Sequence, residues 1–199
     1  MQDDFSYLSI AAAAEGIYTE KGSKFIGCAF PFSSETELKN HLDFVKKKYI
    51  KARHYCYAYQ VGGETTIYRI NDDGEPSGTA GKPIHGQIRS NDLSDILIVV
   101  VRYFGGSLLG ASGLIHAYKT AASEAIKNSE IITKTPMETV HISFYFSELN
   151  EIMKIAKQKN VSILEKQIQN ECTMAISFPK ADEIKLRKQM DKVMGLRFL

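Results

Sequence analysis

The chain has 199 residues, 44% of them hydrophobic and 24% charged, which is enough apolar material for one large or two small cores. Lys and Arg number 25 against 23 Asp and Glu; a formal charge of only +2 argues against a histone-like or tail-driven nucleic-acid binder but leaves room for a local basic patch. The longest apolar run, Ile96 to Val101, is far short of the roughly 20 residues that cross a bilayer, no basic-then-apolar leader is visible, and Cys28, Cys56 and Cys172 are widely spaced, so a membrane protein, a disulfide scaffold and a zinc ribbon are excluded and a reduced, cytoplasmic setting is expected.

In chain order, Ser23 to Phe32 reads as a strand punctuated by Gly22 and Gly27. Ser33 or Ser34, followed by Glu35 and Glu37, signals a helix that runs to about Tyr49 with Leu38, Leu42 and Val45 on one face. His54 to Val61 alternates as a strand does, and Gly62-Gly63 turns it into Thr65 to Ile70, a hairpin. Asp72 to Pro83 is loop-like, with Thr79 placed to cap a short helix through Arg89. Asp95 to Tyr103 contains six consecutive aliphatics, the pattern of a central strand covered on both faces. Leu109 or Gly110 to Lys127 is helical. These elements do not alternate as βα repeats, so the predicted class is α+β and a Rossmann arrangement is rejected.

A boundary is expected at Thr133-Lys134-Thr135-Pro136, where Pro136 ends helical potential and the period changes to that of a strand, giving domains 1–133 and 134–199. Beyond it, Val140 to Phe146 is a strand and Ser147 can cap a helix bearing Leu149, Ile152, Met153 and Ile155. Val161 to Ile168 and Cys172 to Phe178 form a hairpin, Ala181 to Met194 a helix closed by Gly195, and Leu196 to Leu199 an edge strand. This βαββα(β) order is that of a ferredoxin-like split βαβ unit. It carries 11 basic against 8 acidic residues, so the slight basic excess sits here.

Three segments could carry chemistry. The first is Asp72-Asp73-Gly74-Glu75-Pro76-Ser77-Gly78-Thr79-Ala80-Gly81-Lys82-Pro83, in which glycines permit close approach of a ligand and Ser77 and Thr79 could cap a helix whose free amides face an anion. The alternative is a structured surface loop with Asx turns; Lys82 is followed by Pro83, which rejects a P-loop. The second is Arg102-Tyr103-Phe104-Gly105-Gly106, a buried strand running into a glycine-rich turn and a helix, where backbone amides and Arg102 could meet an anion beside an aromatic wall, or where glycines simply allow tight packing. The third is the basic run Lys46, Lys47, Lys48, Lys51, Arg53 followed by Tyr55, Tyr57 and Tyr59, an electrostatic and stacking recipe for nucleic acid and equally that of a solvated helix end. Arg53 and the tyrosines share one face of the strand and His54, Cys56 and Ala58 the other; the tyrosine face is either an exposed patch or half of a sheet core. His54 and Cys56 are two ligands at most, which do not make a zinc site. A hydrolase triad built on His85 or His116 with Asp72 or Asp73 has no Gly-x-Ser-x-Gly nucleophile to serve.

Taken together, Lys21 to Ile26, Ala52-Arg53-His54-x-Cys56-x-Ala58-Tyr59, the Asp72 to Ile84 stretch and Arg102-Tyr103-Phe104-Gly105-Gly106 through Gly110, Gly113 and Tyr118 resemble the IMPACT family, in its bacterial two-domain, YigZ-like branch. The resemblance is strong over about residues 15 to 130. It implies an N-terminal domain with the fold of the second domain of a small-subunit ribosomal protein and a C-terminal domain similar to the last domain of elongation factor G. It also implies a role in translation: eukaryotic members compete for the ribosome-associated activator of an amino-acid-starvation kinase, and they carry an additional RWD-type domain that this sequence does not contain. The family supplies no established catalytic residue.

The leading expectation is a cytosolic, non-catalytic binding protein in translation or ribosome-associated stress, contacting RNA, a ribosome or a protein partner through Lys46 to Arg53 and Arg102, with neither cofactor nor metal. The rival is a phosphate- or nucleotide-binding enzyme or sensor, in which Asp72, Asp73 and Glu75 hold a divalent ion or act as acid and base while Gly105-Gly106 binds phosphate. Oligomeric state is left open.

Overall fold

The computed structural model describes residues 6–62 and 66–199, which form two compact units, 7–134 and 135–199. In the first unit the elements are β1 (Tyr7–Ile10), β2 (Ala14–Glu20), β3 (Ser23–Pro31), α1 (Leu38–Lys48), β4 (His54–Val61), β5 (Ile67–Asn71), α2 (Gly81–Ser90), β6 (Ile96–Tyr103), α3 (Gly110–Lys127) and β7 (Ile131–Lys134). Five strands make one antiparallel sheet in the order β2-β3-β6-β4-β5, and β1 pairs separately with β7.

Strand β6 lies at the centre and is buried on both faces, as a run of six aliphatics requires. Ile96, Ile98 and Val100 join Phe25, Ala29, Cys56 and Ala58 under Ile84 and Ile88 of α2 and Leu114 and Tyr118 of α3. Leu97, Val99 and Val101 join Tyr57, Tyr59 and Phe32 under Leu38 and Val45 of α1. The tyrosine face of β4 is therefore largely half of a core, with Tyr57 and Tyr59 buried. Helix α3 lies so close to β3 that a Cβ on Gly27 would penetrate the Ala121 carbonyl; glycine below and alanines at 117, 121 and 125 above allow that approach.

Several boundaries differ from expectation for local reasons. A single 3-10 turn, Glu35–Glu37, capped by the Ser34 hydroxyl accepting the Thr36 N–H, precedes α1, so the α-helix starts at Leu38. The expected Gly62-Gly63 turn and Thr65 fall in part outside the described residues, and β5 begins at Ile67. Strands β1, β2 and β7 had no sequence expectation. Asp95 explains part of that pairing: its carboxylate accepts from the Tyr7 hydroxyl at 2.6 Å, the Gly62 N–H at 3.1 Å and the Lys134 ammonium at 3.2 Å, tying β1 and β7 to the start of β6.

The second unit runs β8 (Met137–Tyr145), α4 (Leu149–Ala156), β9 (Ser162–Gln167), β10 (Glu171–Pro179), α5 (Glu183–Met190) and β11 (Arg197–Phe198). Its sheet is antiparallel in the order β11-β8-β10-β9. Val140, Ile142 and Phe144 stand opposite Ile176, Met174 and Cys172, and this face packs on Ile152, Ile155, Leu186 and Met190. Ser147 does not cap α4; its hydroxyl contacts the Glu148 carboxylate at 3.1 Å and a 3-10 turn leads into the helix instead. Helix α5 is shorter than the pattern from Ala181 to Met194 predicts, because residues 180–182 form a 3-10 turn and the helix stops at Met190. Among the described residues no helix is long and apolar enough to cross a membrane.

Candidate functional site

The segment after β5 folds back on its own carboxylate. Asp72 accepts the Gly78 N–H at 2.9 Å, the Ala80 N–H at 3.0 Å and the Gly81 N–H at 2.7 Å, so the amides at the start of α2 are occupied from within the chain. This corrects the expectation that they face an external anion, and also the expected capping by Ser77 and Thr79: Ser77 is exposed, and the Thr79 hydroxyl donates to the Pro76 carbonyl at 2.7 Å. Partial burial by itself would raise the Asp72 carboxyl, but the amides of Gly78, Gly81 and Ala80, helped by the Lys82 ammonium, outweigh it and hold the group below the usual carboxylate range.

Asp73 and Gly74 follow at φ values of 42° and 83°, a left-handed pair that reverses the chain and sends Glu75 inward. The Asp73 carboxylate accepts the Tyr55 N–H at 2.7 Å, while the Asp73 carbonyl lies 2.7 Å from Nδ1 of His54. A carbonyl can only accept, so Nδ1 carries the hydrogen and Nε2 is turned toward Glu75, 3.8 Å from its Oε1. That same oxygen accepts from Arg102 Nη1 at 2.6 Å and from the Tyr118 hydroxyl at 2.8 Å. The Glu75 and Arg102 side chains are only 3% and 7% exposed.

The reason Arg102 ends up here is register. Phe25, Arg102 and His54 are cross-strand neighbours on β3, β6 and β4, on the face that continues Ile98 and Val100. A cation at the end of a buried face needs a partner, and Glu75 supplies it from the loop. The guanidinium lies 5.5 Å from the Phe25 ring centroid and 5.6 Å from that of Phe104. Its Nε is buried and has no hydrogen-bond partner among the described residues. Next to the pair, Cys56 donates to the Asp72 carbonyl at 3.0 Å and contacts the Tyr118 hydroxyl at 3.4 Å; burial pushes its thiol up to about 12, so it is protonated at neutral pH. Burial, reinforced by Cys56 and Glu75, also drives the Tyr118 hydroxyl well above its ordinary value.

The glycine turn after β6 meets the basic stretch at the same end of the sheet. The Arg53 N–H donates to the Arg102 carbonyl at 3.2 Å, the Tyr103 hydroxyl to the Ile50 carbonyl at 3.1 Å and the Tyr55 hydroxyl to the Tyr49 carbonyl at 2.7 Å. Arg53, His54, Arg102, Phe104 and Leu108 line a cavity of about 270 Å3 there. Gly105 has a packing role: its N–H donates to the Ser23 hydroxyl at 3.1 Å, and a Cβ would fall inside the Gly22 backbone, so its amide is not offered to an anion as expected. Gly106, at φ 90°, borders open space.

Of the basic candidates, Lys48 pairs with Glu15 at 2.7 Å and Lys46 lies 5.7 Å from the Tyr55 ring centroid. Lys47, Lys51 and Arg53 are exposed and make no ion pair among the described residues. Asp72, Asp73 and Glu75 do not converge as the acidic cluster that the rival expectation required: each carboxylate is turned to different donors, and among the described residues no group of three His, Cys, Asp or Glu is placed to hold a metal. His85 instead contacts Gln60 at 3.0 Å and stacks on Tyr68, and His116 meets the Tyr18 ring edge-on. The structure thus joins Asp73, Gly74, Glu75, Arg102 and Arg53 with Phe104 of the expected aromatic wall, and adds Leu108, Tyr118 and His54, the last weighed from sequence only as a zinc ligand. The alternation Ile98-x-Val100-x-Arg102 was the available signal for the buried ion pair.

A family model described as the Impact N-terminal domain matches residues 21–126. The chain is 37% identical over 147 residues to IMPACT family member YvyE of Bacillus subtilis, covering 74% of this chain and 68% of that one. It is 30% identical over 178 residues to IMPACT family member YigZ of Escherichia coli, covering 88% and 87%. A crystal structure of a hypothetical protein superposes with a TM-score of 0.76 at 30% identity, covering 98% of this chain and 96% of the other.

Proposed function

This chain belongs to the IMPACT family, and on that premise we propose that it is a cytosolic, non-catalytic regulator of translation or ribosome-associated stress that contacts RNA through the basic end of its first unit. One observation carries the reading: the Arg53 N–H bond to the Arg102 carbonyl sets Arg53, which ends the basic run through Lys47 and Lys51 and makes no ion pair among the described residues, in one cavity with the half-exposed Phe104 ring and the exposed Leu108. Cations track a phosphate backbone and an aromatic face stacks on a base. The kinship to translation folds that the family resemblance implies supports the same direction. We read the second unit, with its β11-β8-β10-β9 order, as the ferredoxin-like domain similar to the last domain of elongation factor G, and the first as the ribosomal-protein-like domain. No residue is given a catalytic role.

The test is a salt titration of a labelled, partly single-stranded RNA against the full chain. Saturable binding at low ionic strength is expected, and the variant with Lys47, Lys51 and Arg53 all changed to Ala should show a log–log salt slope shallower by about 2, at roughly 0.7 per lost contact to a single strand. Absence of saturable binding at low salt overturns the proposal, and capture of a protein partner that survives nuclease would replace RNA with protein.

A further inference from the structure

We infer that the cavity lined by Arg53, His54, Arg102, Phe104 and Leu108 is a subsite for a phosphate monoester carrying a nucleobase, which deepens and rests on the RNA reading above. Three features point to that ligand. Arg102 uses Nη1 on Glu75, while its Nε is buried and unpartnered, an arrangement that costs free energy until an acceptor arrives. The guanidinium edge bearing Nε is the one suited to side-on, two-point contact with a phosphoryl group. Glu75 fixes the plane of that fork but neutralises only one of the two arginines at the cavity, leaving the Arg53 charge free for the ligand.

The remaining lining sets the chemistry of the ester. His54, held through Nδ1 by the Asp73 carbonyl and with Nε2 turned toward Glu75, forms one side of the cavity. Phe104 is 44% exposed and lies over Arg102, and Leu108 is 85% exposed. Together they offer an apolar wall to a flat ring once the phosphate has moved Phe104 off the guanidinium. The volume of about 270 Å3 accommodates one nucleotide. Among the described residues, the acidic groups bonded to this lining are Glu75, committed to Arg102 and Tyr118, and Asp73, whose carboxylate is committed to the Tyr55 amide. The monoester has two sources: a phosphorylated RNA 5′ end or a free mononucleotide.

Calorimetric titration of the full chain with four probes separates them: a short RNA with and without a 5′ phosphate, and AMP against adenosine. At least about a tenfold preference for the phosphorylated member of one pair is expected, the size of one charge-assisted contact. Arg53→Ala, at an exposed position, should abolish that preference, whereas Lys47→Ala should leave it intact. A preference in the RNA pair assigns the RNA end; a preference in the AMP pair alone assigns the free nucleotide. Equal affinity within both pairs, or a preference that persists in Arg53→Ala, overturns the subsite; the RNA reading then stands if both RNAs bind and falls with it if neither does.

Discussion

The start of α2 and the end of β6 each gather hydrogen-bond donors around a carboxylate, yet they end in opposite states. At α2 the amides of Gly78, Ala80 and Gly81 all reach the single acceptor Asp72, and the loop that looked most like a ligand cradle is closed by its own side chain. At β6 the single acceptor Glu75 takes one nitrogen of a planar five-donor group and leaves another without a partner. Density of glycines and carboxylates in a sequence therefore says less about a site than whether donors outnumber the internal acceptors.

The largest effect that tests this contrast is at Glu75. Glu75→Ala strands a buried guanidinium and should lower unfolding stability by about 3–5 kcal/mol in a urea titration, while pairing Glu75→Gln with Arg102→Met should recover most of the loss. If Glu75→Ala costs less than about 1 kcal/mol, the ion pair is better solvated than its burial suggests. Next is Gly105→Ala, whose new methyl would collide with the Gly22 backbone: about 1–3 kcal/mol is expected. Gly106→Ala meets open space and pays only for its φ of 90°, about 1 kcal/mol. A reversal of that order would return the anion role to the Gly105 amide.

Asp72→Ala should cost about 2 kcal/mol at neutral pH, as three amides lose a charged acceptor. Its folded pKa is depressed, so this contribution is complete above the unfolded value near 4 and fades as pH falls through the lower native value. The gap between wild type and Asp72→Ala should therefore narrow on acidification from pH 6 toward 3. A gap that stays constant would mean the carboxylate charge is irrelevant to the cap. The smallest effect concerns Cys56 and Cys28, both pushed up to about 12 chiefly by burial. Native protein at pH 8 should react with maleimide at these thiols only as fast as it opens, so reaction should speed up with urea.

Much of the scaffold was legible from residues alone. The bounds of β4 coincide with the alternating run His54 to Val61, and those of α3 with Gly110 to Lys127, because each has a strong period and an abrupt stop. Strands β1 and β7 were not legible: four residues each carry too little pattern, and they pair with each other across more than 120 positions, with Tyr7 and Lys134 both bonded to the distant Asp95. At the site, the composition of Asp72 to Pro83 and of Arg102 to Gly106 marked the two segments that meet, but not which donor stays open.

By itself the sequence determined the α+β class, the doubly covered β6, the family and the presence of a basic stretch beside a glycine-rich turn, since these are carried by periodicity, local conformational preference and contiguous motifs. Only the tertiary structure decided that Asp72 faces inward, that Glu75 meets Arg102 and that Gly105 is pressed against Gly22. Those outcomes depend on strand register and on which groups compete for the same acceptor, and both are properties of residues brought together from distant parts of the chain.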